Sequence, residues 1–85
     1  MSDDVPGTHW LAADGLHVDT RGLPPPDPLI AVLWHISQPE QTGPVIAHFD
    51  RDPIYLFPEL AERGWFYEYG TPDPDDLRLI LRPTL

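Results

Sequence analysis

Four short segments of the chain have the hydrophobic patterns of β-strands. In the first, Leu16 and Val18 alternate with His17 and Asp19, which predicts a half-buried strand from Leu16 to Thr20. The second segment, PVIAHF, is apolar enough for a central strand. The third, WFYEY, is rich in the aromatic residues that favour strands, and the fourth, LRLILR, alternates like the first.

Two other segments have apolar residues at helical spacing, and an Asp-Pro pair precedes each of them. Asp27 is expected to be the N-cap of the first helix and Pro28 its first residue, where the missing N–H costs nothing. The second helix should begin near Ile54 or later. The predicted core-facing residues are Leu29, Val32, Leu33 and Ile36 in the first helix and Leu56, Phe57 and Leu60 in the second.

The resulting order of elements is β-α-β-α-β-β. It predicts an α/β two-layer sandwich in which two helices cover one face of a four-stranded mixed sheet. The first two strands should be parallel and joined by a right-handed crossover. We expect residues 15–85 to form this single domain and residues 1–14 to be a flexible N-terminal tail. An alternative for the tail is a hairpin, because Asp14-Gly15 favours a type I′ turn that would fold Trp10 back onto the domain.

Composition and charge narrow the class of function. The 85 residues allow one domain, and a net charge of −9 with no lysine makes nucleic-acid binding unfavourable. The chain has no cysteine and therefore no thiolate for catalysis, sulfur transfer or metal binding. No apolar run has the length of a membrane helix, and the acidic N-terminus lacks the pattern of a signal peptide. We therefore expect a cytoplasmic protein that binds neither nucleic acid nor membranes.

The segment DTRGLPPPDPL, residues 19–29, resembles the motif Asp-x-Arg-Gly-Leu-x-Cys-Pro-x-Pro of the TusA/SirA sulfur-carrier family. Pro25 stands where that family has its persulfide-carrying cysteine, so the resemblance implies the fold without the sulfur transfer. Residues 16–82 also resemble a sister family of unknown function that has an Asp-x-Arg-x-x-Pro-Pro-Pro-x-Pro motif. That family is often linked to redox, nitrogen-oxide or hemerythrin-like proteins, which implies a redox-related protein partner.

The entry to the first helix is one candidate binding site. A helix N-terminus beside an arginine can hold an anion. A rigid strand-to-helix turn, with Arg21 paired to Asp19, accounts for the same residues and is the alternative interpretation. The candidate ligand-binding residues are Asp19, Arg21, Gly22, Pro24, Pro25, Pro26 and Asp27.

The histidines and aromatic residues give two further candidates. His17 and His48 lie on strands predicted to be adjacent, so they are candidate metal ligands, although isolated histidines are more often packing or surface residues. Trp65, Tyr67 and Tyr69 share one face of their strand. They form a partner surface if the helices cover the other face, and they belong to the core if the helices cover their own.

The pattern of residues identifies no catalytic group and no cofactor. We therefore predict a non-catalytic binding or interaction module whose partner is another protein. The alternative is a protein that binds a small ligand, an anion or a metal ion at the N-terminus of the first helix, with the help of nearby histidine and arginine side chains.

Overall fold

The computed structural model describes residues 5–84, which fold into five strands and two helices. The order of elements is β-β-α-β-α-β-β. The strands are β1 (Thr8–Ala12), β2 (Gly15–Asp19), β3 (Val45–Phe49), β4 (Trp65–Tyr69) and β5 (Leu77–Pro83), and the helices are α1 (Asp27–Ile36) and α2 (Leu56–Glu62).

The five strands form one mixed sheet in the order β1-β2-β3-β5-β4. The predicted parallel pairing of the two strands that flank α1 is confirmed: β2 and β3 are parallel, with Leu16 opposite Val45. The other three pairs, β1 with β2, β3 with β5 and β4 with β5, are antiparallel. Since β2, β3 and β5 have neighbours on both sides, they form the centre of the sheet, and β1 and β4 form its edges.

The prediction of four strands is wrong by one, because residues 8–12 form the edge strand β1. The hairpin alternative is the arrangement observed, although its turn lies one residue earlier than the sequence suggested. β1 and β2 are antiparallel around a turn at Ala13 and Asp14, and Gly15, the first residue of β2, has a φ of +137°. All five residues of β1 are exposed, so burial imposes no alternating pattern on them. Residues 1–4 of the predicted tail lie outside the described residues.

The hydrophobic core lies between the two helices and one face of the sheet. Alternate strand residues reach it, including Val18 from β2 and Leu79 from β5, and neither of these has any exposed surface. The predicted core-facing residues of both helices lie there, with Leu29, Leu33 and Phe57 only partly buried. Within the described residues no helix is long and apolar enough to cross a membrane.

The start of α1 differs from its prediction by one residue. Asp27 is the first residue of the helix, and Pro26 occupies the N-cap position without a side-chain cap. The backbone N–H of Asp27 donates instead to the carbonyl oxygen of Pro24 at 2.9 Å. The carbonyl of Pro24 thus satisfies one of the first N–H groups of the helix, which have no acceptor within the helix itself. Asp27 still places its negative charge in the first turn, at the positive end of the helix dipole.

Candidate functional site

Within residues 5–84, no helix packs on one face of the sheet, and we call this face the open face. Side chains alternate between the two faces along a strand, so the residues between the core positions point to this face. The register brings residues of all five strands together there. The open face carries Trp10, His17, Asp19, Ile46, His48, Phe66, Glu68, Arg78, Ile80 and Arg82.

Four polar side chains on the open face form a continuous line of hydrogen bonds, which we call the Asp–His–His–Asp chain. Asp14 Oδ1 lies 2.7 Å from Nε2 of His17, and Nδ1 of His17 lies 2.8 Å from Nε2 of His48. Nδ1 of His48 lies 3.0 Å from both carboxylate oxygens of Asp76. The two imidazole rings are inclined by only 26°, with centroids 5.1 Å apart, so they meet edge to edge through these nitrogens.

The register of three strands brings these residues together. His17 is opposite Ile46, so His48, two residues further along β3, is its diagonal neighbour within side-chain reach. Asp14 lies in the β1–β2 turn, three residues before His17. His48 is opposite Arg78 of β5, which places Asp76, just before that strand, close to the imidazole.

Trp10 covers the two histidines. Its indole ring lies 5.1 Å from the imidazole of His17, tilted by 13°, and 5.7 Å from that of His48. His17 and His48 are 8% and 4% exposed, although no helix lies above them, whereas Trp10 itself is 43% exposed. An aromatic face within about 6 Å of a cationic group stabilises it, so Trp10 both excludes water and favours positive charge on this pair.

The carboxylates around the histidines are ionised at neutral pH. The hydrogen bond with His17 lowers the pKa of Asp14 below its usual value. Burial raises the pKa of Asp76, but hydrogen bonds from His48 and Arg78 lower it by more, so the net shift is downward. The hydrogen bond from Arg21 is the largest cause that lowers the pKa of Asp19. Negative charge therefore lies at both ends of the histidine pair and beside it.

The predicted ligand site at the start of α1 has its donors occupied by carboxylates. Arg21 donates from Nε and Nη2 to Asp19, at 3.0 and 2.9 Å. The backbone N–H of Gly22 donates to Asp50 Oδ2 at 3.0 Å. Pro25 borders a groove of about 370 Å³ whose charged lining residues are Asp50, Arg51 and Asp52. With two carboxylates against one guanidinium, this groove does not attract an anion, and the rigid-turn interpretation fits these residues better.

Arg21→Ala is expected to lower the free energy of unfolding by no more than about 1 kcal/mol, because the Arg21–Asp19 pair is exposed and water screens it. Urea unfolding of the variant beside the parent protein measures the change. Arg51→Ala is the matched control, since this arginine is 82% exposed and lies 3.9 Å from Asp50. A loss several times larger for Arg21→Ala would show that the pair has a structural role beyond the turn.

The three aromatic residues predicted to share a strand face lie on the side that the helices cover. Trp65 belongs to the core and is 7% exposed. Tyr67 stacks on Phe57 of α2 with ring centroids 3.9 Å apart. Tyr69 donates its hydroxyl hydrogen to Asp52. The condition for a partner surface at these residues is therefore not met, and the exposed aromatic residues of the open face are Trp10 and Phe66.

The two histidines named from the sequence do meet, but their geometry is not that of a metal site. Their inner nitrogens face each other at hydrogen-bond distance, and each outer nitrogen is held by a carboxylate. Among residues 5–84, no three or more histidine and carboxylate side chains are arranged around one point that could hold a metal ion. Sequence reasoning missed Asp14, Asp76 and Trp10 as members of this site.

Comparison with known proteins gives a single result. A family model described as "Uncharacterized conserved protein (DUF2249)" matches residues 17–83. The match covers most of the domain, from the first histidine of the Asp–His–His–Asp chain to the end of β5, and it leaves β1 and Trp10 outside. No curated protein and no solved structure matches the chain.

Proposed function

We propose, from the premise that the chain belongs to the DUF2249 family of uncharacterized conserved proteins, that it is a non-catalytic module that binds another protein through its open face. The observation that carries the proposal is the position of Trp10. This large aromatic side chain is 43% exposed, lies on the helix-free face, and rests on a polar network whose own hydrogen bonds are satisfied. Tryptophan is among the residues that contribute most to protein interfaces.

The surroundings of Trp10 have the composition of an interface. Phe66 is 40% exposed at the other edge of the sheet, and Ile80 lies half-buried between the two aromatic residues. Arg78 and Arg82, each about two-fifths exposed, lie on the same strand as Ile80. Aromatic residues and arginine are enriched in interface cores. The open face is therefore suited to a protein surface rather than to a small molecule.

The arginines indicate the chemistry of that partner. Three of the five arginines, Arg21, Arg78 and Arg82, lie on or beside the open face of a chain whose net charge is −9. Each is paired with a carboxylate of this chain, and each is still about two-fifths exposed. A guanidinium has five N–H donors, so each of these groups can donate further hydrogen bonds to a partner. The complementary surface has apolar side chains surrounded by backbone carbonyl or carboxylate oxygens.

Three finer statements belong to this proposal and rest on the sequence. The TusA/SirA-like fold rests on the resemblance of residues 19–29, and it is compatible with two helices on one face of a mixed sheet. The redox-related nature of the partner rests on the sister-family resemblance. The cytoplasmic location rests on the sequence, in which no apolar run has the length of a membrane helix. The absence of a thiol also favours a binding role, because a carrier of persulfide sulfur needs a thiolate.

The test begins with native mass spectrometry of the untagged protein from its own cells, which identifies the bound protein. The purified partner is then titrated with the parent protein and, separately, with the Trp10→Ala variant, and the two dissociation constants are compared. We expect the dissociation constant to rise at least tenfold, because truncation of a central interface tryptophan removes more than 1.4 kcal/mol of binding free energy, in order of magnitude. Amide NMR shifts on partner addition should cluster on the open face.

Trp34→Ala is the matched control, because Trp34 is 39% exposed but lies on α1, on the other side of the sheet. Its dissociation constant should stay within about twofold of that of the parent protein. Shifts that cluster on α1 and α2, or an equal loss of affinity in the two variants, would place the binding surface on the helices. A protein that carries no bound protein in its own cells would refute the interaction module.

A further inference from the structure

We propose that His17 and His48 share one proton, that this proton holds Trp10 against the sheet, and that its loss as pH rises releases β1 and remodels the open face. The meaning of this switch for partner binding rests on the function proposed above. The proton itself is required by the geometry of the Asp–His–His–Asp chain and does not depend on any partner.

The number of protons follows from counting hydrogen bonds. The chain contains three short contacts: Asp14 to His17, His17 to His48, and His48 to Asp76. Each contact needs one hydrogen between its two heavy atoms. The carboxylates are ionised and supply none, and two neutral imidazoles supply one each. The third hydrogen is an additional proton, and it makes one of the two rings an imidazolium.

Its position between the rings follows from the carboxylates. Asp14 accepts a hydrogen from Nε2 of His17, and Asp76 accepts one from Nδ1 of His48, so both outer nitrogens carry hydrogen. The inner nitrogens, 2.8 Å apart, would then present two lone pairs to each other if both rings were neutral. Only a proton between them converts this repulsion into a hydrogen bond. The edge-to-edge meeting of the rings is the geometry that a linear N–H···N bond requires.

The charged groups around the pair favour one added positive charge. Asp14 faces it from the β1–β2 turn, Asp19 from β2, and Asp76 from the segment before β5. The cations near it are Arg78 of β5, which donates to Asp76, and Arg21, whose Nη1 lies 3.9 Å from Asp76. Three carboxylates against two guanidiniums leave one uncompensated negative charge, which the shared proton neutralises. Trp10 of β1 adds an aromatic face rather than a charge.

Removal of the proton breaks one of the three contacts, whichever ring nitrogens keep the two remaining hydrogens. If both outer nitrogens keep their hydrogens, the inner nitrogens repel each other. If one ring changes tautomer to restore the inner bond, its outer nitrogen loses the hydrogen and faces a carboxylate without one. A buried polar group then has no partner, which is unfavourable until water reaches it.

The element that yields is β1. It is an edge strand that, among the five described strands, pairs with β2 alone, and all five of its residues are exposed. Such elements open at low free-energy cost while the core remains folded. Water reaches the histidines if Trp10 moves away from them, because its ring is what covers them on the open face. The surface offered to a partner therefore differs between the protonated and the deprotonated protein.

NMR of the free, full-length protein tests the switch between about pH 5 and pH 9. Nitrogen-15 shifts of the imidazoles count the hydrogens on each ring. We expect three N–H hydrogens over the two rings at the acidic end and two at the alkaline end. The indole N–H signal of Trp10 should move with the same midpoint, whereas amide signals of the core, such as that of Leu79, should stay unchanged.

The variants His17→Gln and His48→Gln should each abolish the movement of the Trp10 signal with pH. His9→Gln is the matched control, since His9 points to the opposite face, where its ring lies 4.8 Å from that of His35. The pH-dependent movement of the Trp10 signal should persist in this variant. If a glutamine variant fails to fold, Asp14→Asn serves instead, because this carboxylate is 64% exposed. Loss of its negative charge should shift the midpoint to lower pH.

Two neutral rings with two hydrogens at every pH examined would overturn the inference, as would a Trp10 transition that survives in His17→Gln. Neither result bears on the partner experiment, which is carried out at a single pH with Trp10→Ala and Trp34→Ala. A shared proton in a protein that binds no other protein would leave this inference standing and refute the proposed function.

Discussion

Asp76→Asn is expected to lower the free energy of unfolding by about 3 kcal/mol, the loss typical of breaking a buried, charged network at one partner. Asp76 is 7% exposed and accepts hydrogen bonds from Nδ1 of His48 and, at 3.2 Å, from Nε of Arg78. An asparagine of the same shape can accept one of these bonds but carries no charge. His48 and Arg78 would then keep their donors with a weaker acceptor, and water does not replace the lost bond at His48 while Trp10 covers its ring.

The same variant should change how stability responds to acid. The pKa of Asp76 is lower in the folded protein than its ordinary value of 3.8, because the hydrogen bonds from His48 and Arg78 outweigh the effect of burial. A carboxyl group with a lowered folded pKa contributes stability above its ordinary value, and this contribution disappears as the pH falls through the folded pKa. The parent protein should therefore lose stability below about pH 4, and Asp76→Asn should lose less over that range.

Urea unfolding at pH 7 and at several values between pH 2 and pH 5 measures both effects. Asp75→Asn is the matched control. The carboxylate of Asp75 is next to Asp76 in the sequence, but it is exposed and makes no contact with the histidines. The free energy of unfolding of Asp75→Asn should change by less than about 0.5 kcal/mol. If the two variants lost equal stability, or if Asp76→Asn kept the full acid dependence of the parent protein, the carboxylate would not hold the network together.

Hydrophobic periodicity predicted six of the seven elements. The alternation in LRLILR placed Leu79 and Leu81 in the core and Arg78 and Ile80 on the other face, and the structure has this arrangement. Period-two and period-3.6 patterns arise from burial on one side, so they are reliable where one side is buried. The edge strand β1 is exposed throughout, so only the Asp14-Gly15 pair indicated it, through backbone preference rather than burial, and the observed turn lies one residue earlier.

The candidate site was predictable only in part. His17 and His48 could be named together because the order of elements makes their strands adjacent and parallel. Asp76 could not, because its proximity to His48 depends on the register of β5 against β3, and a shift of one residue would turn it away. The role of Trp10 could not be predicted either, because it depends on β1 forming a hairpin with β2. Contacts between residues distant in sequence follow from the whole fold, and local patterns do not contain them.

Gly15→Ala is expected to lower the free energy of unfolding by about 3 kcal/mol, at the upper end of the usual cost of a strained backbone position. Gly15 has a φ of +137°, a conformation that residues with a side chain rarely adopt. A Cβ atom added there would lie 2.5 Å from the carbonyl oxygen of Pro44, which is well inside contact distance. That oxygen also accepts the backbone N–H of Leu16, at 3.2 Å, so it cannot move away without breaking the start of the β2–β3 pairing.

The effect should reach the candidate site, because Gly15 closes the turn that holds β1 against β2. We expect the variant to lose the contact between Trp10 and His17, with the indole N–H signal of Trp10 moving toward the position of an exposed tryptophan. Urea unfolding measures the stability, and an NMR spectrum at neutral pH reports on Trp10.

Gly43→Ala is the matched control, because a Cβ atom at that position would have no atom within 4 Å, and the change in stability should stay within about 0.5 kcal/mol. If Gly15→Ala were as stable as Gly43→Ala and left the Trp10 signal in place, the tight turn would not position this tryptophan.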